Sequence, residues 1–453
     1  MSRFPLRTAL LGAALSTTIL AHAAVPESEA AKLSTSLTPM GAEKAGNADG
    51  SIPAWTGGLP SSAGQRGENG RLSDPFAAEK PLFTITPQNV AQYAKNLTPG
   101  QQAMFKRYPD YRMNVYPSHR TATYPEAVFK AIASNARHTS LVADGNGLQN
   151  FQTAIPFPIP HNGLEVLWNH ITRYRGGSMQ RTHVQATPTA SGEYTPVYFK
   201  QQFTFRDQLS DFESSQESNV LFYYKQLVTA PARLAGDVVL VHETLDQVKE
   251  PRMAWIYNAG QRRVRRAPQI AYDGPYPASD GQRVADDLDM INGAPDRYDW
   301  KLVGKQEIYV PYNNFELESP THKYSDLLKV GHLNQDLMRY EKHRVWVVEA
   351  TLKPGERHIY AKRTLFVDED TWQAMLIDHY DGRGTLWRVG ESSMTPLYDR
   401  QIPWLGVEAL YDLVNGRYLV SGLTNEEKSP VEFGLKTSAA DYTPAALRNE
   451  GVR

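Results

Sequence analysis

The sequence predicts a mainly β protein with flanking helices, an α+β chain built on one large, curved antiparallel sheet. Three observations carry that reading. Between His343 and Val389 four strand-forming runs follow one another with only short polar turns between them, a loop length that pairs neighbours antiparallel as a meander. Strand patterns outnumber helical ones, and the helical ones gather early in the chain. Late in the chain Asn415-Gly416, a strong hairpin turn, separates the runs Gln401 to Val414 and Arg417 to Leu423.

The chain has 453 residues, no cysteine and a net charge of −1. Arg3 and Arg7, the apolar run Ala9 to Leu20 and Ala21-His22-Ala23 read as a cleavable secretory leader over residues 1–23. Its removal takes away two arginines and leaves −3, the wrong sign for a nucleic-acid binder. Without cysteine there is no lipid-bearing N-terminal thiol, no disulfide and no thiolate metal site. No later apolar run reaches the roughly 18 residues needed to span a bilayer. A periplasmic, unlipidated monomer is the expectation, with residues 24–100 as an arm, loop and cover helix packed onto residues 101–453 as one unit.

In chain order, Asn47-Ala48-Asp49-Gly50 has the alternating oxygens of a calcium loop, but Ala45 and Thr56 stand where its first and twelfth ligands belong. A turn with Gly50 at positive φ fits better. Thr86-Pro87 and Thr98-Pro99 each pair an N-cap with proline at N1, opening helices to about Leu97 and Arg107. Tyr108, Tyr116 and Tyr124 each precede a proline and are pushed into extended backbone. Glu126 to His138 has a helical pattern. Ala154 to Pro160 carries three prolines and cannot be an interior strand. Behind it Asn162 and Glu165 make a capping box for a helix whose apolar face is Leu164, Leu167, Trp168 and Ile171, closed by Gly176.

Strand patterns resume at Tyr194 to Phe205, Asn219 to Thr229 and Gly236 to Glu243. Met253 to Tyr257 and Arg262 to Arg266 form a hairpin whose arginines alternate between faces, with Asp286, Asp287 and Asp289 near enough in sequence to neutralise one side. Leu302 to Val310 leads into the meander, and Thr443-Pro444 opens a last short helix.

Several of these stretches, read together, resemble one family. Leu37 to Asn47 with Asp49 to Gly58, the three Tyr-Pro pairs, Trp255-Ile256-Tyr257, Arg262 to Pro268, Arg363 to Trp372 and Leu447-Arg448 closely resemble the exported Gram-negative domain-of-unknown-function family thirteen twenty-nine. Its members are often labelled outer membrane lipoprotein-sorting protein. The resemblance implies a half-open, lipoprotein-carrier-like barrel plugged by helices. It also implies a carrier or chaperone that binds a lipid, fatty acyl chain, sterol or hydrophobic ester. The implied route joins an inner-membrane exporter of the resistance-nodulation-division type to an outer-membrane protein.

A chain of about twelve methylenes at about 0.8 kcal/mol each offers on the order of 10 kcal/mol gross on burial, reduced by ordering and association costs. Such a guest needs no charged anchor. The expected lining comes from the meander, through Trp346, Val348, Tyr360, Phe366, Trp372 and Leu376, and from the hairpin through Trp255 and Tyr257. Phe157, Ile159 and Trp168 are the expected portal.

Catalytic, metal and cofactor residues are not expected. There is no nucleophile elbow, phosphate loop or dinucleotide fingerprint. His242-Glu243-Thr244-Leu245-Asp246 lacks the second histidine of a zinc helix. His343 and His358 could face each other across strands, and His161, His170 and His183 surround the proline-rich stretch. A ligand-free structural adaptor of an export complex, or a hydrolase of acyl esters, would be the alternative functions.

Overall fold

The computed structural model describes residues 25–215, 218–428 and 431–451; the expected leader lies outside the described residues. The strands are β1 (Phe83–Ile85), β2 (Met113–Val115), β3 (Ser140–Leu141), β4 (Leu148–Gln149), β5 (Ser178–Ala186) and β6 (Val197–Phe205). They continue as β7 (Val220–Ala230), β8 (Val238–Thr244), β9 (Met253–Asn258), β10 (Arg263–Arg266), β11 (Tyr298–Pro311) and β12 (Tyr340–Leu352). The last are β13 (Lys362–Asp368), β14 (Ala374–Tyr380), β15 (Leu386–Leu397), β16 (Ile402–Asp412), β17 (Tyr418–Leu423) and β18 (Val431–Phe433). Helices are α1 (Glu27–Ala30), α2 (Pro99–Arg107), α3 (Glu126–His138), α4 (Gly163–Thr172), α5 (Tyr324–Leu327) and α6 (Ala446–Gly451).

Among the described residues sixteen strands make one sheet in the order β1-β2-β12-β13-β14-β15-β16-β17-β5-β6-β7-β8-β9-β10, with β11 beside β12 and β18 beside β5. The expected meander is β12 to β15, paired antiparallel throughout. One parallel bridge, Tyr340 to Val115, joins β12 to β2. β1 and β10 end the order without meeting, so the sheet is open.

Its curvature follows from packing. Met179, Phe203, Phe222 and Val241 on β5 to β8 share a buried cluster with Val348, Leu365 and Ile377 on β12 to β14. Strands that far apart in the order meet only if the sheet curls around its interior. Half of that interior is plugged. α3 contributes Val128 and Ile132, α4 contributes Val166, Leu167, Trp168 and Ile171, and Phe157 and Met40 complete the plug. α4 starts where Asn162 Oδ1 accepts from the Glu165 amide at 3.0 Å, while Glu165 accepts from the His161 amide at 2.6 Å. A Cβ on Gly163 would come within 2.9 Å of the Trp300 backbone, so its first turn lies directly against β11.

The arm closes the same side. Gly41, at φ +97°, lets the chain run against Pro158, whose carbonyl oxygen would be 1.9 Å from a Cβ there, and Trp372 Nε1 donates to the Met40 carbonyl at 2.9 Å. The outer face is covered in more than one place. α2 and the 317–338 connection cover β15 to β17 through Met104, Phe105, Leu327 and Leu333, and the C-terminal segment covers β7 to β9 through Tyr442 and Leu447.

The differences from sequence expectation are local. Val90–Asn96 is 3-10 helix, not α-helix. α4 stops at Thr172 because Arg173 turns to an extended ψ of 151°. Only Met113–Val115 of the Tyr-Pro region pairs into the sheet. β5 is a further strand that period-two hydrophobicity does not reveal, because Arg181, His183 and Gln185 stand where apolar residues would mark its inner face.

A carboxyl in the outer cover supplies a test. Glu391 accepts from Tyr340 Oη at 3.2 Å and Tyr411 Oη at 3.4 Å, and burial pushes its pKa up to about 7 against those two bonds. An unfolded glutamate titrates near 4.3. Between these values the folded chain keeps a proton that the unfolded chain releases, so stability falls as pH rises through that window. Glu391→Gln is expected to flatten the fall, by on the order of 2–3 kcal/mol between pH about 4.5 and 8, read from urea midpoints at the two ends.

Candidate functional site

Where the plug ends, the inner face is hollow. Alternation sends Arg181, His183 and Gln185 of β5, Gln201 and Phe203 of β6, and Phe222, Tyr224 and Gln226 of β7 into one cavity of about 100 Å³. Val241 and Glu243 of β8 and Trp404 and Glu408 of β16 close its sides. The roof is the long connection from Ala267 to Arg297, between β10 and β11, which crosses the hollow like a strap and presents Ile270, Arg283, Leu288, Asp289 and Asn292.

Ion pairs fasten the strap. Asp289 takes Arg173 Nη1 at 2.9 Å and also binds Arg175, both just beyond α4. Burial alone would raise the Asp289 carboxyl, but the two guanidinium groups overcome it and hold the pKa far below the usual range. His170, within α4, accepts from the Ala374 amide at 3.0 Å through Nδ1 and bonds the Asp289 carbonyl at 2.9 Å through Nε2. Burial, with Arg173 beside it, lowers its pKa to about 3, so the ring is neutral and pins strap, plug and β14 together. Arg283 binds Glu408, and Glu243 holds Arg252 at 2.7 Å and Asn292 Nδ2 at 2.8 Å. At the far end Arg363 Nη2 reaches Asp286 at 2.8 Å and Tyr360 Oη donates to Asp287 at 2.9 Å.

A second cavity of about 280 Å³ lies beyond Arg181 and Trp404, which line both spaces. Its other walls include Leu72, Phe315, Leu397 and Val431, with Arg71 and Glu318. Together the two spaces reach the lower end of small-molecule sites, about 300–1,000 Å³.

The expected lining residues fall in four places. Trp346, Val348 and Trp372 lie in the plugged half, where the two indoles stack 6.3 Å apart. Phe366 and Leu376 face the other side of the sheet, with Ile308, Val345 and Val347. Alternation along β13 brings Leu365 and Val367 inward instead, and a bulge on β14 leaves both Met375 and Leu376 on the outer side while Ala374 and Ile377 face in. Tyr360 is under the far end of the strap. Trp255 and Tyr257 pack against Tyr442 and Leu447 on the outer face. Of the expected portal, Phe157 and Ile159 border a crevice of about 10 Å³, and Trp168 is core, its Nε1 donating to the Gly145 carbonyl at 2.9 Å.

The residues that do line the hollow were hidden for a physical reason: they are polar side chains at inward positions, which sequence pattern assigns to solvent. Asp286, Asp287 and Asp289 do not neutralise the hairpin arginines. They serve Arg363, Tyr360 and the Arg173 and Arg175 pair, while Arg263, Arg265 and Arg266 of β10 are exposed.

The histidines expected to face each other are apart. His343 pairs across from Ile308, and His358 bonds Asp286 at 3.1 Å. His343, Asp368 and Asp370 bring potential ligand atoms close enough for a metal ion. Arg120 already takes both oxygens of Asp370, at 2.7 and 2.8 Å. Burial opposes a charge on His343, but bonding to Glu341 at 3.3 Å and the Asp368 charge raise its pKa.

An open curled sheet, a helical plug and a strapped hollow define the architecture. The chain belongs to the family described as protein of unknown function (DUF1329), whose model matches residues 84–448. It is 66% identical over 432 residues, 95% of either chain, to the uncharacterized protein PA3922 of Pseudomonas aeruginosa. Among solved structures it is similar to an outer membrane lipoprotein-sorting protein domain from Vibrio parahaemolyticus, at 14% identity over 63% of this chain and 98% of that one, TM-score 0.44. It is also similar to a DUF1329 family protein from Desulfovibrio piger, at 16% identity over 60% and 92%, TM-score 0.42. A LolA superfamily protein from Nitrosomonas europaea matches at 13% identity over 63% and 98%, TM-score 0.38.

Asp289→Asn leaves the buried Arg173 and the part-buried Arg175 short of their counter-charge, a loss of up to about 3–5 kcal/mol. Faster amide exchange and proteolysis across residues 267–297, with β12 to β14 still protected, is the expected signature. Uniform loosening of the whole chain would show that the strap has no separate stability.

Proposed function

We propose that the protein is a carrier of a molecule with an apolar chain, working in the periplasm after export, and that the guest enters beneath the strap. The observation that carries this reading is the unfilled space itself. The chain supplies α3, α4, the proline-rich stretch and the arm to fill one half of the curled sheet, and leaves the other half roofed but hollow. Phe203, Phe222, Met179, Ile270, Leu288 and Trp404 give that hollow apolar walls. Each methylene buried there contributes about 0.8 kcal/mol. A long chain exceeds the first space, so it must extend past Arg181 and Trp404 into the second or displace the strap. No helix among the described residues is long and apolar enough to cross a membrane, which suits a shuttle between an inner-membrane exporter of the resistance-nodulation-division type and an outer-membrane protein.

A ligand-free adaptor of an export complex is the second reading, favoured by the solid packing around Trp168 and Trp372. Native mass spectrometry separates the two. The protein purified without detergent is expected to carry a bound apolar mass, and Phe203→Trp with Phe222→Trp, which narrows the hollow, is expected to lose it. A bare mass, with no thermal shift from any lipid, would favour the adaptor.

A further inference from the structure

The cavity contains more positive groups than its own acids engage, and the surplus sits at one residue. Of the guanidinium groups lining the hollow, Arg252 is paired with Glu243, Arg283 with Glu408, and Arg175 shares Asp289 with Arg173. Arg181 has no carboxylate at ion-pair distance among the described residues. Its Nε donates to Gln201, and its guanidinium lies 5.6 Å from the Trp404 ring centroid. Glu408, Asp289 and Glu318 act on it only through space. The first two are already engaged, and burial pushes the Glu318 carboxyl toward its neutral form, with Thr395 Oγ1 bonded to it at 2.5 Å. An arginine does not shed its proton. A cation that stays charged in a low-dielectric wall calls for an anion from outside the chain.

His183 stands two residues on, on the same face of β5. It is 2% exposed, and neither ring nitrogen meets a hydrogen-bond partner in normal geometry. Burial, with Arg181 and Arg283 nearby, keeps the ring neutral, so it has one N–H to give. Arg181 also lines both cavities, which puts it at their junction, with His183 beside it in the wall of the first, Phe203 and Phe222 to one side and Leu397 and Phe315 to the other.

Resting on the carrier reading, we infer that the guest is an anionic amphiphile whose carboxylate or phosphate head is held by Arg181, with His183 as a second donor, and whose chain lies along Phe203 and Phe222. The planar guanidinium fork suits two oxygens of either head. This differs from a purely apolar guest, for which a part-buried arginine without a carboxylate partner would be a liability at that place.

Head-group comparison on the purified full-length mature protein tests the inference, with dodecanoate, dodecyl phosphate and dodecanol as probes in isothermal titration. A charge-assisted bond makes the anionic probes bind about tenfold or more tighter than the alcohol, and whichever anion binds tighter identifies the head. Arg181→Met is expected to bring the ratio to within about threefold. Equal affinity of all three probes for the unaltered protein overturns the inference and leaves the carrier reading standing, and so does a ratio unchanged in Arg181→Met. Failure of all three to bind overturns both. The comparison on the unaltered protein decides the matter even if the variant does not fold.

Discussion

A carboxylate clamped between two guanidinium groups, Asp289 against the buried Arg173 and the part-buried Arg175, decides how the interior of this sheet is divided. The arginines follow directly on α4, so the helix that plugs one half also supplies the anchors for the strap over the other. Through His170 the same helix holds the first residues of β14. Plug, strap and meander are thereby one mechanical unit. A curled sheet with fewer helices than its inner face could take would collapse or bind water indiscriminately. Here polar fastening keeps a small space open where apolar packing would have closed it.

This arrangement explains why the interior is mixed in character. An apolar hollow roofed by an apolar loop would close under its own hydrophobic contacts. A roof fastened by ion pairs is held at defined points and can part between them. The arginine–carboxylate pairs beneath the strap are only weak contributors to net stability, because desolvation offsets most of their attraction. Their value lies in position: Arg283 is fixed over β16 by Glu408, Asp286 over β13 by Arg363, and Asp289 at the end of α4 by Arg173 and Arg175.

Much of the architecture was legible in the sequence. The meander announced itself by alternation and by Pro354-Gly355 and Asp381 to Gly384, and the Asn162 cap located α4. What escaped was β5 and the strap. β5 turns Arg181, His183 and Gln185 inward, so its period-two signal is inverted, and the strap has no regular periodicity beyond a single 3-10 turn at Ala285–Asp287. Alternation finds apolar faces, and it pointed to Trp346, Val348 and Trp372, which are indeed inward but covered by α4 and the arm. A functional hollow lined by charge is invisible to a rule that equates inward with oily. The sign that could have revealed it was an excess of charged residues in Arg173 to His183 and Arg283 to Asp289, stretches otherwise too ordered by turns to be tails.

A sheet that curls without closing keeps free margins at β1 and β10, each a template for pairing with another chain, and β11, paired only with β12 among the described residues, leaves a further edge. β1 limits the danger by being three residues long. β10 limits it differently, since Arg263, Arg265 and Arg266 project from it into solvent, and a second copy approaching along that strand would bring like charges together. Exposed charge along that margin therefore opposes edge-to-edge pairing of two copies while leaving the mouth of the sheet open.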